Sequence, residues 1–338
     1  MIDIMGMPLV SVIMPIYNGA AYMEESIRSV LEQNYKNIEL LICNDASTDN
    51  TAEIIERFMQ QDSRISVVKN EVNSGISISR NKLLDRVKGK YFITQDCDDN
   101  MLPGKVEMQV KYMEAHPECG MCGTWARKVN EKTETFGKIV HPVNDTDIRI
   151  NLLFQNSMVQ PSVMVRAEFI DRYRYDGNLL VCEDYDYWER LSGISQLHNL
   201  PQYLVQYRIH GTNISKSKEQ LLIEKTRAIK LRQLLRVDKD AERYIEVHDA
   251  IGSLRYPDNV AWGEWRKECL AWLKRLIEQN RVAKVYPENA FKAFVWYRWI
   301  RYCVKRRELL SALFPNFFTL NPVVLYRLFR LMFMFVKR

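Results

Sequence analysis

The sequence predicts an α/β fold: a mostly parallel sheet with helices on both faces, followed by an α-helical C-terminal region. Three observations carry the prediction. Short apolar runs alternate with stretches of helical spacing through residues 9–96, a βαβαβαβ order that calls for a parallel sheet with crossover helices. Three of the runs end in Asn18, Asp45 and Asp96, at the carboxyl ends of strands where such sheets bind ligands. Beyond residue 216 the strand pattern stops and the charge changes sign. Residues 1–216 hold 23 Lys and Arg against 29 Asp and Glu, whereas residues 217–338 hold 25 against 13. A basic back half of this kind suits an anionic partner, phospholipid or nucleic acid.

The elements follow in order. LVSVIMPIYN (9–18) is an apolar run stopped by polar residues, and YMEESIRSVLEQ (22–33) has helical spacing. IELLICND (38–45) is the second strand, and Ser47-Thr48-Asp49 behind it offers caps to the helix TAEIIERFMQQ (51–61). ISVVKN (65–70) and KYFITQD (90–96) are strands on either side of the helix ISISRNKLLDRV (76–87). Gly75, Ser77, Ser79 and Arg80 put hydroxyls and a guanidinium at that helix's start, where an anion is favoured. A helix at 105–115, a strand at 119–129 and an amphipathic stretch at 147–156 come next. VCEDYDYWERL (181–191) is a helix led by Glu183, Asp184 and Asp186, and YLVQYRIHGTNIS (203–215) is a strand with His210 near its end. Residues 217–338 read as helices at 217–236, 239–252, 258–279 and 289–308, with a last one after Pro322.

The stretch GKYFITQDCDDNMLPGK (89–105) packs Asp96, Asp98 and Asp99 into four positions. Like charges this close resist ionising together unless a cation or hydrogen-bond donors share the site, so the cluster is either a solvated acidic turn or a metal site. No G-x-G-x-x-G follows the first strand, which argues against a dinucleotide-dependent oxidoreductase. Cysteines 43, 97, 119, 122, 182, 269 and 303 form an odd set without framework spacing. Cys119-Gly120-Met121-Cys122 lacks the second ligand pair of a zinc site, and both cysteines read as small core residues of a strand. Met1–Met7 lacks a basic region followed by an apolar core, so a reducing cytosol is the expected compartment.

Taken together and in order, VSVIMPIYN, SVLEQNYKNIELLICNDASTDNT, SGISISRN, YFITQDCDD, CEDYDYWERL and YRIHGTNIS resemble glycosyltransferase family 2, the inverting group with a GT-A fold that uses nucleotide-diphospho-sugars. The resemblance covers residues 9–215 and implies a GT-A catalytic domain over 1–216. Its nucleotide-sugar half would be about 1–100 and its acceptor half about 101–216. It implies a donor site in which Asp45 reads the uracil edge, Tyr17 and the backbone around Pro15 flank the base, Arg80 lies near the pyrophosphate and Asp96 meets the ribose. By the same resemblance Asp98, with His210, would meet a divalent metal, Mn2+ or Mg2+, and Asp184 would be the catalytic base. The chain departs from the family where Asn44-Asp45 stands for the usual Asp-Asp. It also lacks Q-x-x-R-W, since Val295 stands three residues before Arg298-Trp299, so one sugar per encounter is expected in place of polymerisation.

The expected activity is therefore metal-dependent transfer of one sugar, from a UDP-sugar, to a glycan acceptor, in particular a lipid-linked one. A sugar nucleotidyltransferase should show a Gly-rich, Arg-containing loop after the first strand, which PIYNGAAY lacks. A non-catalytic glycan-binding module should have lost the carboxylates, which are present. In the basic tail, Arg298, Arg301 and Lys305 share one helical face and Trp296, Trp299, Ile300 and Cys303 the opposite one. Residues 287–338 hold ten basic residues against two acidic ones, and the longest apolar run, Leu331 to Val336, is too short to span a bilayer. The tail is thus expected to make peripheral contact with the cytoplasmic face of a membrane, or else to pack on the catalytic domain or a second subunit as a homo-oligomer. No helix-turn-helix, zinc or aromatic-sheet motif supports nucleic acid.

Overall fold

The computed structural model describes residues 6–211, 218–257, 260–312 and 320–336. The predicted strand end at 212–215 and the predicted helix starts at 217 and 258 lie outside the described residues. In the first part, strands β1 (Val10–Ile16), β2 (Ile38–Asn44), β3 (Ile65–Lys69) and β4 (Tyr91–Thr94) alternate with helices α1 (Met23–Leu31), α2 (Thr51–Gln61) and α3 (Ile76–Leu84). All pair in parallel, with β1 between β2 and β4 and with Ile16 beside Asn44 in register. Every residue of β1 is buried, which is why its sequence, Ser11 apart, is apolar throughout instead of alternating. The order β3-β2-β1-β4 reverses direction at β1, so the loops after β1 and β4 diverge and open a crevice at their carboxyl ends.

The remaining elements in chain order are β5 (Asn100–Met101), α4 (Lys105–Ala115), β6 (Cys119–Val129), β7 (Thr135–Ile139), α5 (Asp145–Leu152), β8 (Met164–Arg166), α6 (Glu183–Ser192) and β9 (Gln196–Arg208). Strand β8 lies antiparallel between β4 and β6, while β9 runs parallel to β6. The short strands β5 and β7 pair antiparallel with β9 and β6. Both β6 and β9 therefore point the same way as β4 and bring their carboxyl ends, Val129 and Arg208, to the crevice side. Cys119 and Cys122 are buried in β6 as free thiols.

The chain forms two compact units, residues 1–143 with 158–222, which hold the sheet, and residues 144–157 with 223–338. The sequence placed 144–157 with the sheet; in the structure it belongs to the helical unit. The reason is its apolar face: Ile148, Ile150, Leu152, Leu153 and Phe154 are all buried, and Phe154 stacks on His248 and Phe294. The helical unit contains α7 (Glu219–Leu234, whose first turn lies in the sheet unit), α8 (Ile245–Ser253), α9 (Trp262–Ala283), α10 (Glu288–Lys305), α11 (Leu309–Ala312) and α12 (Pro322–Val336). Helix α10 is its centre, packed by α5, α8, α9, α11 and α12. The basic face that the sequence assigns to Arg298, Arg301 and Lys305 is corrected at Arg298, which is fully buried and donates to the Ile251 and Gly252 carbonyls at the end of α8. Unsatisfied carbonyls at a helix C-terminus draw a cation inward.

Candidate active site

Four loops build the crevice. After β1, Asn18 adopts a left-handed φ of 50°. Its Oδ1 accepts from the Thr48 N–H at 2.8 Å, while Ser47 Oγ and Asp49 Oδ2 accept from the Asn18 and Ala20 N–H groups at 3.0 and 3.1 Å. The Ser47-Thr48-Asp49 run therefore chiefly staples the β1 and β2 loops to each other, and its capping part is the Thr51 N–H held by Asp49 Oδ1 at 3.1 Å. Tyr17 stands 49% exposed, and Pro15 is buried within β1.

After β2, the buried Asp45 carboxylate is the anion at the start of α3. Its Oδ1 accepts from Asn70 Nδ2 at 2.7 Å and from the Ser74 N–H at 2.8 Å, and its Oδ2 from the Gly75 N–H at 2.9 Å. Gly75 has a φ of 87°, a conformation glycine adopts without strain. The expectation that α3 presents hydroxyls to an external anion is corrected here. Ser77 Oγ donates to the Leu179 carbonyl at 2.7 Å, and Ser79 Oγ accepts from Asn70 Nδ2 at 3.1 Å. A carboxylate oxygen accepts two bonds, so Asp45 Oδ2 keeps capacity for one further donor.

Arg80 joins the third and fourth loops. It is 1% exposed; Nη2 donates to Asp96 Oδ1 at 2.9 Å, Nη1 to Glu183 Oε1, and its guanidinium carbon lies 5.3 Å from the Tyr175 ring centre. It is thus a buried clamp between the end of β4 and the first turn of α6, and not the open cation a diphosphate would meet directly. Two carboxylates tolerate this burial because one planar guanidinium serves both.

Beside that clamp, Asp184 Oδ1 accepts from the Tyr185 N–H at 2.7 Å. Burial pushes its carboxyl up to about 7, with the Glu183 charge adding and Arg80 opposing. Burial likewise pushes Asp96 up to about 6, against the pull of Arg80 and with the Asp98 charge adding. A carboxyl near neutrality is a stronger proton acceptor than an ordinary surface aspartate.

The D-x-D turn itself is held from inside. Gln95 Nε2 donates to the Asp96 and Asp99 carbonyls at 3.1 and 2.7 Å. Asp98 Oδ2 lies 2.8 Å from His210 Nε2, so the structure brings those two side chains into direct contact. Asp99 points inward and accepts from the Arg208 N–H at 2.6 Å; burial, with the Asp98 and Asp96 charges, raises its carboxyl well above the usual range. Among the described residues no group of three His, Cys, Asp or Glu side chains is placed to hold a metal ion. Asp98 and His210 nevertheless fit one that keeps waters and takes phosphate oxygens for its remaining positions.

Two residues of YRIHG went unassigned from sequence. Arg208 Nε donates to the Asp98 carbonyl at 2.9 Å, Nη1 to Thr133 Oγ1 at 2.9 Å and Nη2 to Glu25 Oε2 at 2.7 Å, locking the turn to the β6–β7 hairpin and α1. Tyr207 lies in the field of Asp99, Asp96, Asp98 and Asp184, which together with burial raise its hydroxyl pKa. The available signal was the placement of both residues just before His210.

The glycosyl transferase family 2 model matches residues 11–174. An uncharacterised glycosyltransferase of Haemophilus influenzae is 33% identical over 218 residues, covering 62% of this chain and 68% of its own. Bacillus subtilis TuaG, named for teichuronic acid biosynthesis, is 30% identical over 217 residues, covering 62% of this chain and 83% of its own. Among solved structures, S. aureus TarS 1-349 in complex with UDP-GlcNAc superposes with a TM-score of 0.57 at 16% identity, over 90% of this chain and 89% of that one, a likeness of fold.

Proposed function

The chain belongs to glycosyltransferase family 2, and from that premise we propose that it is a metal-dependent, inverting transferase that moves one hexose from a UDP-sugar to a hydroxyl of a lipid-linked glycan, in surface-polysaccharide assembly. The observation that carries the reading is the Arg80 clamp, which gathers Asp96 and Glu183, and with Glu183 its neighbour Asp184, from two distant motifs. UDP-GlcNAc in the TarS complex and the teichuronic acid name of TuaG support the donor and product class.

In this reading residues 1–100 hold the donor and 101–216 the acceptor. Tyr17 stacks on the base, with the buried Pro15 fixing the strand behind it, and the spare capacity of Asp45 Oδ2 takes the base N–H. Asp96 accepts from the ribose. Arg80 acts on the donor through Asp96 and Glu183, as a positioning residue. Asp98 and His210 would hold Mn2+ or Mg2+, which when bound neutralises the leaving diphosphate. Asp184 removes the proton of the acceptor hydroxyl, and one carboxylate suffices because no glycosyl-enzyme forms. The enzyme works in the cytoplasm on the inner face of the membrane, through peripheral contact in 287–338. Among the described residues no helix is long and apolar enough to cross a bilayer.

The test is a screen of purified protein against UDP-, GDP- and dTDP-sugars, following nucleoside diphosphate release with Mn2+ and with chelator. Release from UDP-sugars that chelator abolishes is the expected result; undiminished release under chelator rejects the role given to Asp98 and His210.

A further inference from the structure

We infer that the outward face of α12, formed by Tyr326, Phe329 and Phe333 with Arg330 beside them, docks on an anionic lipid surface. The inference deepens the lipid-linked-acceptor reading and rests on it for its purpose, although the binding itself needs no turnover. Asn321 fixes the start of the helix, its Oδ1 accepting from the Val324 N–H at 2.9 Å, and Pro322 takes the first position. Val324, Leu328 and Leu331, at i, i+4 and i+7, form a buried seam, and α12 packs on α10.

The opposite side carries Tyr326, Phe329 and Phe333, which are 66%, 61% and 70% exposed. A helix that meets water on that side would place charges there, whereas this one is apolar nearly all round. Such a helix belongs in a core or a bilayer. Arg327 and Arg330 stand in the middle of its described length, a charge placement that suits a helix lying in the interface.

Charge selects the occupant. Residues 309–338 contain four basic residues and no acidic one, and Arg330 is exposed at the border of the aromatic face. Aromatic rings edged by arginine suit the headgroup boundary of an anionic membrane. A second copy suits the face less well, because a self-complementary contact would bring two Arg330 side chains together in a segment that offers no carboxylate to pair them.

The experiment sediments the full chain with phosphatidylcholine vesicles and with vesicles containing phosphatidylglycerol, at low and high salt. We expect roughly tenfold or greater preference for the anionic vesicles, reduced by salt. Tyr326→Ser/Phe329→Ser/Phe333→Ser should lose most of the binding while keeping the unfolding midpoint and transfer to a soluble acceptor. Arg330→Glu should lose roughly fivefold or more on anionic vesicles alone. If the triple variant fails to fold, Arg330→Glu, at an exposed position outside the packed seam, decides the matter. No vesicle binding by the full chain, equal binding by the variants, or a fall from dimer to monomer in the triple variant without vesicle binding would each overturn the inference. Failure of sugar transfer leaves the vesicle readout intact and counts against the proposed activity alone.

Discussion

Asp184→Asn removes a charge and leaves the shape. The amide oxygen can still accept from the Tyr185 N–H, so local geometry is kept. Without a basic carboxylate the acceptor hydroxyl keeps its proton, and turnover should fall roughly a hundredfold or more while UDP affinity changes little. The same substitution should stabilise the fold. Burial, with the neighbouring Glu183 charge, raises the Asp184 carboxyl from 3.8 to about 7, so ionising it in the fold costs up to ~4 kcal/mol. Because the folded value lies above the unfolded one, the stability this group confers is fully present below about pH 4 and is lost as pH rises through about 7. At pH 8.5 the variant should therefore melt several degrees above the parent chain, and the gap should close as pH falls toward 4. Thermal unfolding at several pH values, beside single-turnover transfer at saturating donor, reads both effects. Near-normal turnover removes Asp184 from the mechanism, and a melting difference independent of pH refutes the electrostatic reasoning.

Asp98→Ala should abolish Mn2+-dependent UDP binding by calorimetry together with turnover, and unchanged metal-dependent binding rejects the D-x-D assignment. Arg80→Gln strands the buried Glu183 and the half-buried Asp96 carboxylates, at a cost of about 3 kcal/mol in denaturant unfolding. Adding Glu183→Gln should recover part of that loss, and strict additivity would deny the clamp. Gly252→Ala would normally strengthen a helix, but a Cβ there meets the Phe154 carbonyl oxygen at 2.5 Å, so a loss of roughly 1–3 kcal/mol is expected and a gain would contradict the packing.

What the sequence made legible was local. The buried strands β1, β2 and β4 announce themselves by apolar runs interrupted only at Ser11 and Glu39, and the polar residues that stop them mark the crevice because parallel strands carry their ligands there. The two-residue β5 and three-residue β8 escaped, since a strand that short exists only through its partners β9, β4 and β6. Arg80 stands out in the sequence, but its partner Glu183 lies 103 positions away, and sequence spacing does not report such a pairing. Helix α10 shows the limit of periodicity. The pattern separated an arginine face from a tryptophan face, but nothing in it said that the Ile251 and Gly252 carbonyls wait for Arg298 inside. For the same reason the exposed aromatic face of α12 was hidden, because an apolar run does not reveal which of its sides a neighbour covers.

The central claim is that a single carboxylate, Asp184, deprotonates the acceptor on the face of the sugar opposite the leaving diphosphate. The most direct measurement is proton NMR of the first-formed product from an α-linked UDP-sugar and a soluble acceptor analogue. A β-linked product, formed roughly a hundredfold or more slowly when Asp184 is replaced by Asn, is the predicted result; an α-linked product would mean that the anomeric centre is attacked twice or from the leaving-group side, and would contradict the account.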